Sequence, residues 1–312
     1  MNVPLTFAES DANADGALFQ SSWWLDAASG CPCDSVSVTW NGDVVGTLHF
    51  HRSRRLGMTR LRMPPFTRTL SPCIRPPQSK PAQRLVNTRR IVQDMIRALP
   101  PHDMFDFALD AAESPAIAFA FEQAGADIGQ TFTFRTTASH KAAAIWSGLD
   151  QKTRNVVRSA STRCSAPGPG SFDQFAAIYR AEHGARSRDS LQALRRLHDA
   201  SVGRGQAAIR VTSDDRGDVA GTFLVWDRSI LYLLATARLH SGPNGANALM
   251  LWDAIQFAEQ LSLLLDLDGY KTRASARFLS SFGLALTPRV VVRRRSLRYR
   301  IAEWGHETLA VV

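Results

Sequence analysis

Apolar and polar residues alternate on both sides of Asn41-Gly42, and this is the clearest pattern near the start of the chain. Residues 35–40 and 44–51 both show a period of two, as expected of strands with one buried face. Asn-Gly is the strongest short-range signal for the tight turn of a β-hairpin. The segment 35–51 is therefore predicted to be a hairpin.

Longer patterns predict helices and strands along the rest of the chain. Apolar residues recur every three or four positions between 80 and 99, which predicts a helix that ends at two prolines. The first part also contains predicted strands at 58–63, 104–109 and 131–136 and predicted helices at 19–28 and 117–124. The second part contains predicted helices at 141–147, 150–161, 172–182, 188–203, 247–261 and 274–282 and predicted strands at 207–212, 219–226, 230–235, 263–267 and 289–293. We predict an α/β fold of the α+β kind in two lobes, 1–138 and 139–312, divided near Ser139.

The charge balance favours anionic partners. The chain has 37 Lys and Arg against 28 Asp and Glu, a formal net charge of +9. Phosphorylated cofactors, nucleotide sugars, RNA and acidic lipid all fit this balance, and it selects none of them. Much of the excess lies in two arginine-rich segments, 52–68 and 289–300, which could equally be solvated basic faces.

Several classes of protein are disfavoured by the sequence. It contains no run of eighteen apolar residues, so we expect no membrane span. Residues 1–15 lack the basic start and apolar run of a secretory signal, so we expect a cytoplasmic protein. The four cysteines have no spacing typical of a zinc site, and we expect no metal and no tightly bound cofactor.

The loop at 239–248, LHSGPNGANA, connects a predicted strand to a predicted helix. Its small residues let backbone amides approach an anion, and the helix N-terminus adds unpaired N–H groups and a favourable dipole. The same loop could be a tight turn in which Asn244 or Asn247 caps the helix. The residues assigned to a cofactor phosphate are Gly242, Asn244, Gly245, Ala246 and Asn247.

Two aspartates follow at the end of the next predicted strand. Alternation places Asp266 and Asp268 on one face of that strand. A carboxylate there could deprotonate an attacking amine if burial raises its pKa. The alternative is structural: the aspartates cap the next helix or pair with Lys271, Arg273 or Arg277.

Three arginines are candidates for binding an anionic substrate. Arg154 and Arg158 are four residues apart on one face of a predicted helix. Such a pair suits a phosphate or carboxylate, which arginine binds in a bidentate manner. Arg277 is assigned to the same role, and a solvated or ion-paired helix is the alternative.

Six segments, in this order, resemble the Fem-like GNAT acyltransferases. The resemblance extends over about 19–293, and the segments are FQSSWWLD (19–26), MPPFT with LSP (63–72), LDQKTR (149–154), LMLWDAI (249–255), LDLDG (265–269) and RFLSSFG (277–283). It implies two tandem GNAT-like lobes, each a mixed, mostly antiparallel sheet flanked by helices. It also implies that the loop at 242–247 holds the pyrophosphate of coenzyme A.

The resemblance implies an N-acyltransferase that moves an acyl group from acyl-CoA to an amine. The acceptor would be a cell-envelope or polysaccharide precursor or a small metabolite. Aminoacyl-tRNA is the alternative donor, and a non-catalytic protein that binds an anionic ligand is the alternative function. Leu279, Ser280 and Ser281 stand where Fem ligases tend to carry lysine, and Leu284 replaces a usual glycine, which weakens the case for a peptidoglycan precursor.

Overall fold

A computed structural model describes residues 17–113, 115–137, 141–270 and 272–309. The helices are α1 (Ser22–Ser29), α2 (Pro81–Ala98), α3 (Pro115–Gln123), α4 (Ala142–Gly148), α5 (Gln151–Ser161), α6 (Phe172–His183), α7 (Arg188–Val202), α8 (Ala246–Gln260), α9 (Arg273–Ser280) and α10 (Leu297–Leu309). The strands are β1 (Asp34–Trp40), β2 (Asp43–Arg55), β3 (Met58–Arg62), β4 (Cys73–Ile74), β5 (Met104–Ala108), β6 (Asp127–Arg135), β7 (Gly168–Pro169), β8 (Ala207–Asp214), β9 (Gly217–Trp226), β10 (Ile230–Arg238), β11 (Leu264–Asp266) and β12 (Ala285–Arg295). The predicted α/β fold with mostly antiparallel strand pairs is confirmed.

The predicted hairpin is present as β1 and β2. Both turn residues have positive φ, 52° at Asn41 and 92° at Gly42, as a tight two-residue turn between twisted strands requires. The predicted helix at 80–99 is α2, which has Pro81 in its first turn, where a missing backbone N–H costs no hydrogen bond.

By compactness the chain forms two units, and neither is a continuous segment. The first unit contains Cys31–Thr131 and Pro288–Val312, and the second contains the residues up to Gly30 together with Phe132–Thr287. The predicted boundary at Ser139 lies outside the described residues. The division into lobes 1–138 and 139–312 stays a prediction.

The first unit is a sheet with one buried and one polar face. Its strands follow the order β1-β2-β3-β5-β12, with β3 and β5 parallel and the other neighbours antiparallel. Leu61 and Phe105 are opposite each other on the buried face and have no exposed surface. On the polar face Arg62 and Arg293 flank Asp106, and Arg293 forms an ion pair with it.

The second unit is built around α8. Its strands follow the order β11-β10-β9-β8-β7, and β10 and β11 are parallel. Helix α8 is buried along most of its length and contributes Met250 and Ala254 to a core that also contains Leu224, Leu265 and Phe282. This packing fixes the N-terminus of α8 relative to β10.

No helix in the described part of the chain combines the length and the apolarity needed to cross a membrane.

Candidate anion-binding cleft

The loop before α8 ends in a glycine with a backbone conformation that other residues rarely adopt. Gly245 is the N-cap of α8 with a φ of 93°, and no side chain caps the helix. The alternative in which Asn244 or Asn247 caps the helix is therefore wrong. The N–H of Ala246 donates to the carbonyl oxygen of Pro243 at 3.2 Å, whereas Gly245 has no side chain to cap the N–H groups that follow, and such groups and the helix dipole bind anions.

Gly245 is also needed because α5 lies very close to the loop. A Cβ atom at Gly245 would be 2.9 Å from the backbone oxygen of Val156 and 2.9 Å from its Cγ1 atom. Gly242 is less restricted: a Cβ atom there would be 3.1 Å from the Cβ of Val219. The small residues of the loop thus allow the backbone of α5 and the start of α8 to approach each other.

An open cleft of about 470 Å³ lies between α5 and this loop. The residues that line it are Gln151, Lys152, Asn155, Val156, Ser159, Arg163 and Asn244. Lys152 and Arg163 give the cleft two positive charges, and Asn155 and Ser159 add polar groups. The cleft suits an anion of phosphate type.

Arg163 connects the loop to α5. Its Nη2 atom donates to the carbonyl oxygen of Asn244 at 2.8 Å, and its Nε atom donates to the carbonyl oxygen of Ser159 at 3.0 Å. Sequence reasoning missed Lys152 and Arg163. Their spacing with Asn155, Val156 and Ser159 is helical, and this signal could have identified the face.

The predicted arginine pair lies on another part of α5. The Nη1 atom of Arg154 donates to the carbonyl oxygens of Ser147, at 3.1 Å, and Leu149, so that its guanidinium caps the end of α4. The guanidinium of Arg158 lies 5.6 Å from the ring centroid of Trp146. Neither residue lines the cleft, and the contacts of Arg154 correspond to a structural role.

Asp266 is fully buried and is held by hydrogen bonds to both of its oxygens. The Nε atom of Arg135 donates to its Oδ2 atom at 2.9 Å, and the Thr133 hydroxyl donates to Oδ1 at 2.5 Å. The backbone N–H of Asp268 donates to the same Oδ1 atom at 2.8 Å. A carboxylate held in this way joins β11 to β6. Asp266 is thus paired with Arg135, a partner that the sequence did not indicate, and its assignment as a catalytic base stays a prediction.

The two aspartates do not share a face of one strand. Strand β11 ends at Asp266, and Asp268 follows with a φ of 62°. Asp268 is half-buried, and Arg277 lies exposed on α9, whereas Lys271 lies outside the described residues. The expectation of a shared strand face is corrected because the chain turns directly after Asp266.

Strands β10 and β11 are paired over only three residues. They pair only from Ile230 to Tyr232, whereas β10 continues to Arg238. The register between β10 and β9 also shifts between Leu233 and Ala235. The farther half of β10, next to the loop before α8, therefore does not have β11 as its neighbour, and an extended ligand could lie beside it.

One more buried carboxylate belongs to the structure of this unit. Asp253 on α8 accepts hydrogen bonds from Arg210 on β8 through both of its oxygens. Burial raises the pKa of Asp253, and the guanidinium of Arg210 opposes that shift. The pair joins α8 to the sheet and does not line the cleft.

Residues 149–271, which include the cleft, match the family model described as an acetyltransferase (GNAT) domain. This part of the chain is thus similar to GNAT domains. A comparison with curated protein sequences found no match.

Solved structures extend the likeness over most of the chain. FemX aligns with a TM-score of 0.62 and 11% identity over 89% of this chain and 93% of its own. A tandem GNAT protein from the clavulanic acid biosynthesis pathway aligns with a TM-score of 0.55 and 13% identity over 84% of this chain and 82% of its own. The C-terminal domain of a putative lysylphosphatidylglycerol synthetase from Agrobacterium fabrum aligns with a TM-score of 0.53 and 10% identity over 93% of this chain and 92% of its own. These likenesses confirm the predicted resemblance to Fem-like tandem GNAT proteins at the level of the fold.

Proposed function

We propose that this protein is an N-acyltransferase that uses acyl-CoA as donor and an amine as acceptor. The observation that carries the proposal is the cleft between α5 and the loop before α8, which Lys152, Arg163 and Asn244 line just ahead of the N-terminus of α8. It lies at the loop where the resemblance to GNAT enzymes puts the coenzyme A pyrophosphate. The pantetheine chain would then extend along the half of β10 that leaves β11.

The reaction is direct transfer without a covalent enzyme intermediate. The nitrogen of a neutral amine attacks the thioester carbonyl, a C–N bond forms, and the C–S bond breaks. The coenzyme A thiolate leaves and takes up the proton that the nitrogen releases. Alignment of the two substrates and backbone amides that face the oxyanion supply the rate enhancement.

The candidate base in this proposal is Asp268, which would take a proton from the ammonium form of the acceptor and so supply the neutral amine that attacks. Asp266 is already bound by Arg135 and Thr133 and is fully buried, so a diffusing amine does not reach it. Asp268 is half-buried and lies next to it. Arg158 and Arg277 are exposed and remain proposed contacts of an anionic acceptor, such as a cell-envelope precursor.

Aminoacyl-tRNA is the second candidate donor, and the likeness to FemX favours it. The cleft between α5 and α8 would then bind a phosphate of the tRNA instead of a pyrophosphate. A protein that binds an anion without catalysis would use the same cleft. Aminoacyl-tRNA transfer and non-catalytic anion binding differ from acyl-CoA transfer in the ligand bound and in that neither releases the coenzyme A thiol.

The test is a transfer assay with acetyl-CoA and a panel of amino sugars, amino acids and polyamines. Release of the coenzyme A thiol is followed with a thiol reagent, and the acylated amine is identified by mass spectrometry. We expect one class of amine to give both thiol release and an acylated product. The variant Asp268→Asn should lower kcat and leave the KM for acetyl-CoA nearly unchanged. Hydrolysis without amine product, or no thiol release in a protein that binds aminoacyl-tRNA, would contradict the acyl-CoA proposal.

A further inference from the structure

The three most exposed large apolar side chains of the described residues belong to the first unit. They are Leu297, Leu56 and Ile301, with 74%, 65% and 62% of their surface accessible. Leu297 and Ile301 are four residues apart on α10 and therefore lie on one side of that helix. Single exposed apolar residues are common, but these three belong to two neighbouring elements.

The tip of the β2–β3 hairpin lies beside the start of α10. A Cβ atom at Gly57, in the turn, would be 3.7 Å from the Nη2 atom of Arg298. Asp103 connects the same two elements: its N–H donates to the carbonyl oxygen of Thr59, and its own carbonyl accepts from the N–H of Ser296, both at 2.8 Å. Leu56 and the first turn of α10 are thus at one end of the sheet.

Leu56 occupies a backbone conformation that disfavours leucine. The turn Leu56-Gly57 has φ values of 51° and 71°, close to those of the Asn41-Gly42 turn earlier in the same chain. Asparagine and glycine are the residues that adopt such positive φ readily, whereas leucine does so at a cost. A leucine that is both strained and largely exposed has no role in packing, which points to contact with a partner.

Exposed arginines surround these apolar side chains. Arg54 and Arg55 precede Leu56 on β2, and Arg298 follows Leu297 on α10. None of the three has a carboxylate partner among the described residues. The end of this sheet therefore combines unneutralised positive charge with exposed leucine and isoleucine.

We propose that this surface, the tip patch (Arg54, Arg55, Leu56, Leu297, Arg298 and Ile301), docks the protein on an anionic lipid surface. Apolar side chains can enter the boundary between headgroups and acyl chains while arginines stay with the phosphates. Charge complementarity selects this partner: a second copy would bring like charges together, and RNA would leave the three apolar side chains without a role. The proposal does not depend on acyl transfer.

The test is sedimentation of the full chain with vesicles of phosphatidylcholine, with and without phosphatidylglycerol. We expect binding to the vesicles that contain phosphatidylglycerol, weakened by salt because the arginine contribution is screened. The variant Leu56→Asn/Leu297→Ser/Ile301→Ser should bind about tenfold more weakly, since it loses the apolar insertion. Val44→Ser/Phe119→Ser, which removes two exposed apolar side chains of the same unit, is the matched control and should bind like wild type.

Each alternative occupant has its own outcome. Absence of wild-type binding to the anionic vesicles, or equal binding by the triple variant, would overturn the proposal. So would RNA binding that is lost on Arg54→Glu/Arg55→Glu/Arg298→Glu, without vesicle binding by wild type. Circular dichroism and the thermal midpoint establish that each variant is folded before it is compared.

Discussion

Asp266 shows how a residue with catalytic chemistry can instead have a structural role. The sequence places a carboxylate at the end of a strand, but its function depends on Arg135 and Thr133, which lie 131 and 133 residues earlier in the chain. A buried charge is tolerated when it is paired and hydrogen-bonded. The carboxylate could be predicted from the sequence, whereas its partner depends on which strand lies beside β11.

Removal of one member of this pair should be strongly destabilising. Arg135→Met leaves the fully buried carboxylate of Asp266 without its cation, and we expect the free energy of unfolding to fall by about 3–5 kcal/mol. The double variant Arg135→Met/Asp266→Leu should recover part of this loss. Urea denaturation measures both. A loss of less than about 1 kcal/mol for Arg135→Met would show that the pair is not the buried anchor described here.

Leu56 and Asn41 offer a reciprocal test of backbone strain. They occupy equivalent positions in two-residue turns with φ values of 51° and 52°. Leu56→Asn should raise the free energy of unfolding by about 1 kcal/mol, and Asn41→Leu should lower it by a similar amount. Thermal and urea denaturation check both changes. A loss of stability in Leu56→Asn would mean that Leu56 makes a stabilising contact within the fold.

Helix α5 is the element whose bounds the sequence predicted best, but the sequence did not identify which of its faces lines the cleft. The predicted helix at 150–161 agrees with the bounds of α5, and the buried residues Val157 and Ala160 mark its inner side. Both flanking faces carry basic residues, so the pattern alone could not decide which face meets a loop about 80 residues later. The structure places Lys152 and Arg163, not Arg154 and Arg158, at the cleft.

The N-terminus of α5 gives a prediction about pH. Asp150 accepts a hydrogen bond from the N–H of Thr153, which lowers the pKa of this carboxyl below its ordinary value. A lowered pKa in the folded state stabilises the protein above the unfolded-state pKa, and this stability is lost as the pH falls through the folded-state pKa. Asp150→Ala should therefore lower the thermal midpoint at neutral pH, and its difference from wild type should shrink in acid. A constant difference at all pH values would contradict the cap.

The contact between α5 and α8 can be tested at Gly245. An alanine there has a disfavoured φ and a Cβ atom 2.9 Å from the backbone of Val156, so we expect Gly245→Ala to cost about 2–4 kcal/mol of unfolding free energy. Gly205→Ala is the control, because Gly205 also has a positive φ but its Cβ would meet no atom within 4 Å. The difference between the unfolding free energies of the two variants, measured by urea denaturation, gives the cost of the contact with Val156. Equal losses would contradict it.

At the scale of the whole molecule, the order of elements was predicted well because hydrophobic period and turn residues are local signals. The composition of the compact units has no such local signal. Residues up to Gly30 belong with Phe132–Thr287, and Pro288–Val312 belong with Cys31–Thr131. Which unit a terminal segment belongs to depends on tertiary packing, and the hydrophobic pattern of a single sequence does not report it.

The comparisons with solved structures support the fold, and the reaction is inferred from the residues of the cleft. Residues 149–271 match the family model of a GNAT domain, and the structural likeness to FemX covers most of both chains. A fold hosts many functions, so acyl transfer is proposed from the loop before α8 and from the charges of Lys152 and Arg163 beside it. Lys152 is the residue to change, because it is exposed and lines the cleft without joining its two sides.

Calorimetric titration of the protein with coenzyme A tests the central claim most directly. We expect saturable binding to wild type, about tenfold weaker binding to Lys152→Glu, and unchanged binding to Arg180→Glu, an equal change of charge on α6 outside the cleft. That result would place the donor phosphates between α5 and α8. No binding to the folded wild type, or equal weakening by both variants, would contradict an acyl-CoA site in this cleft.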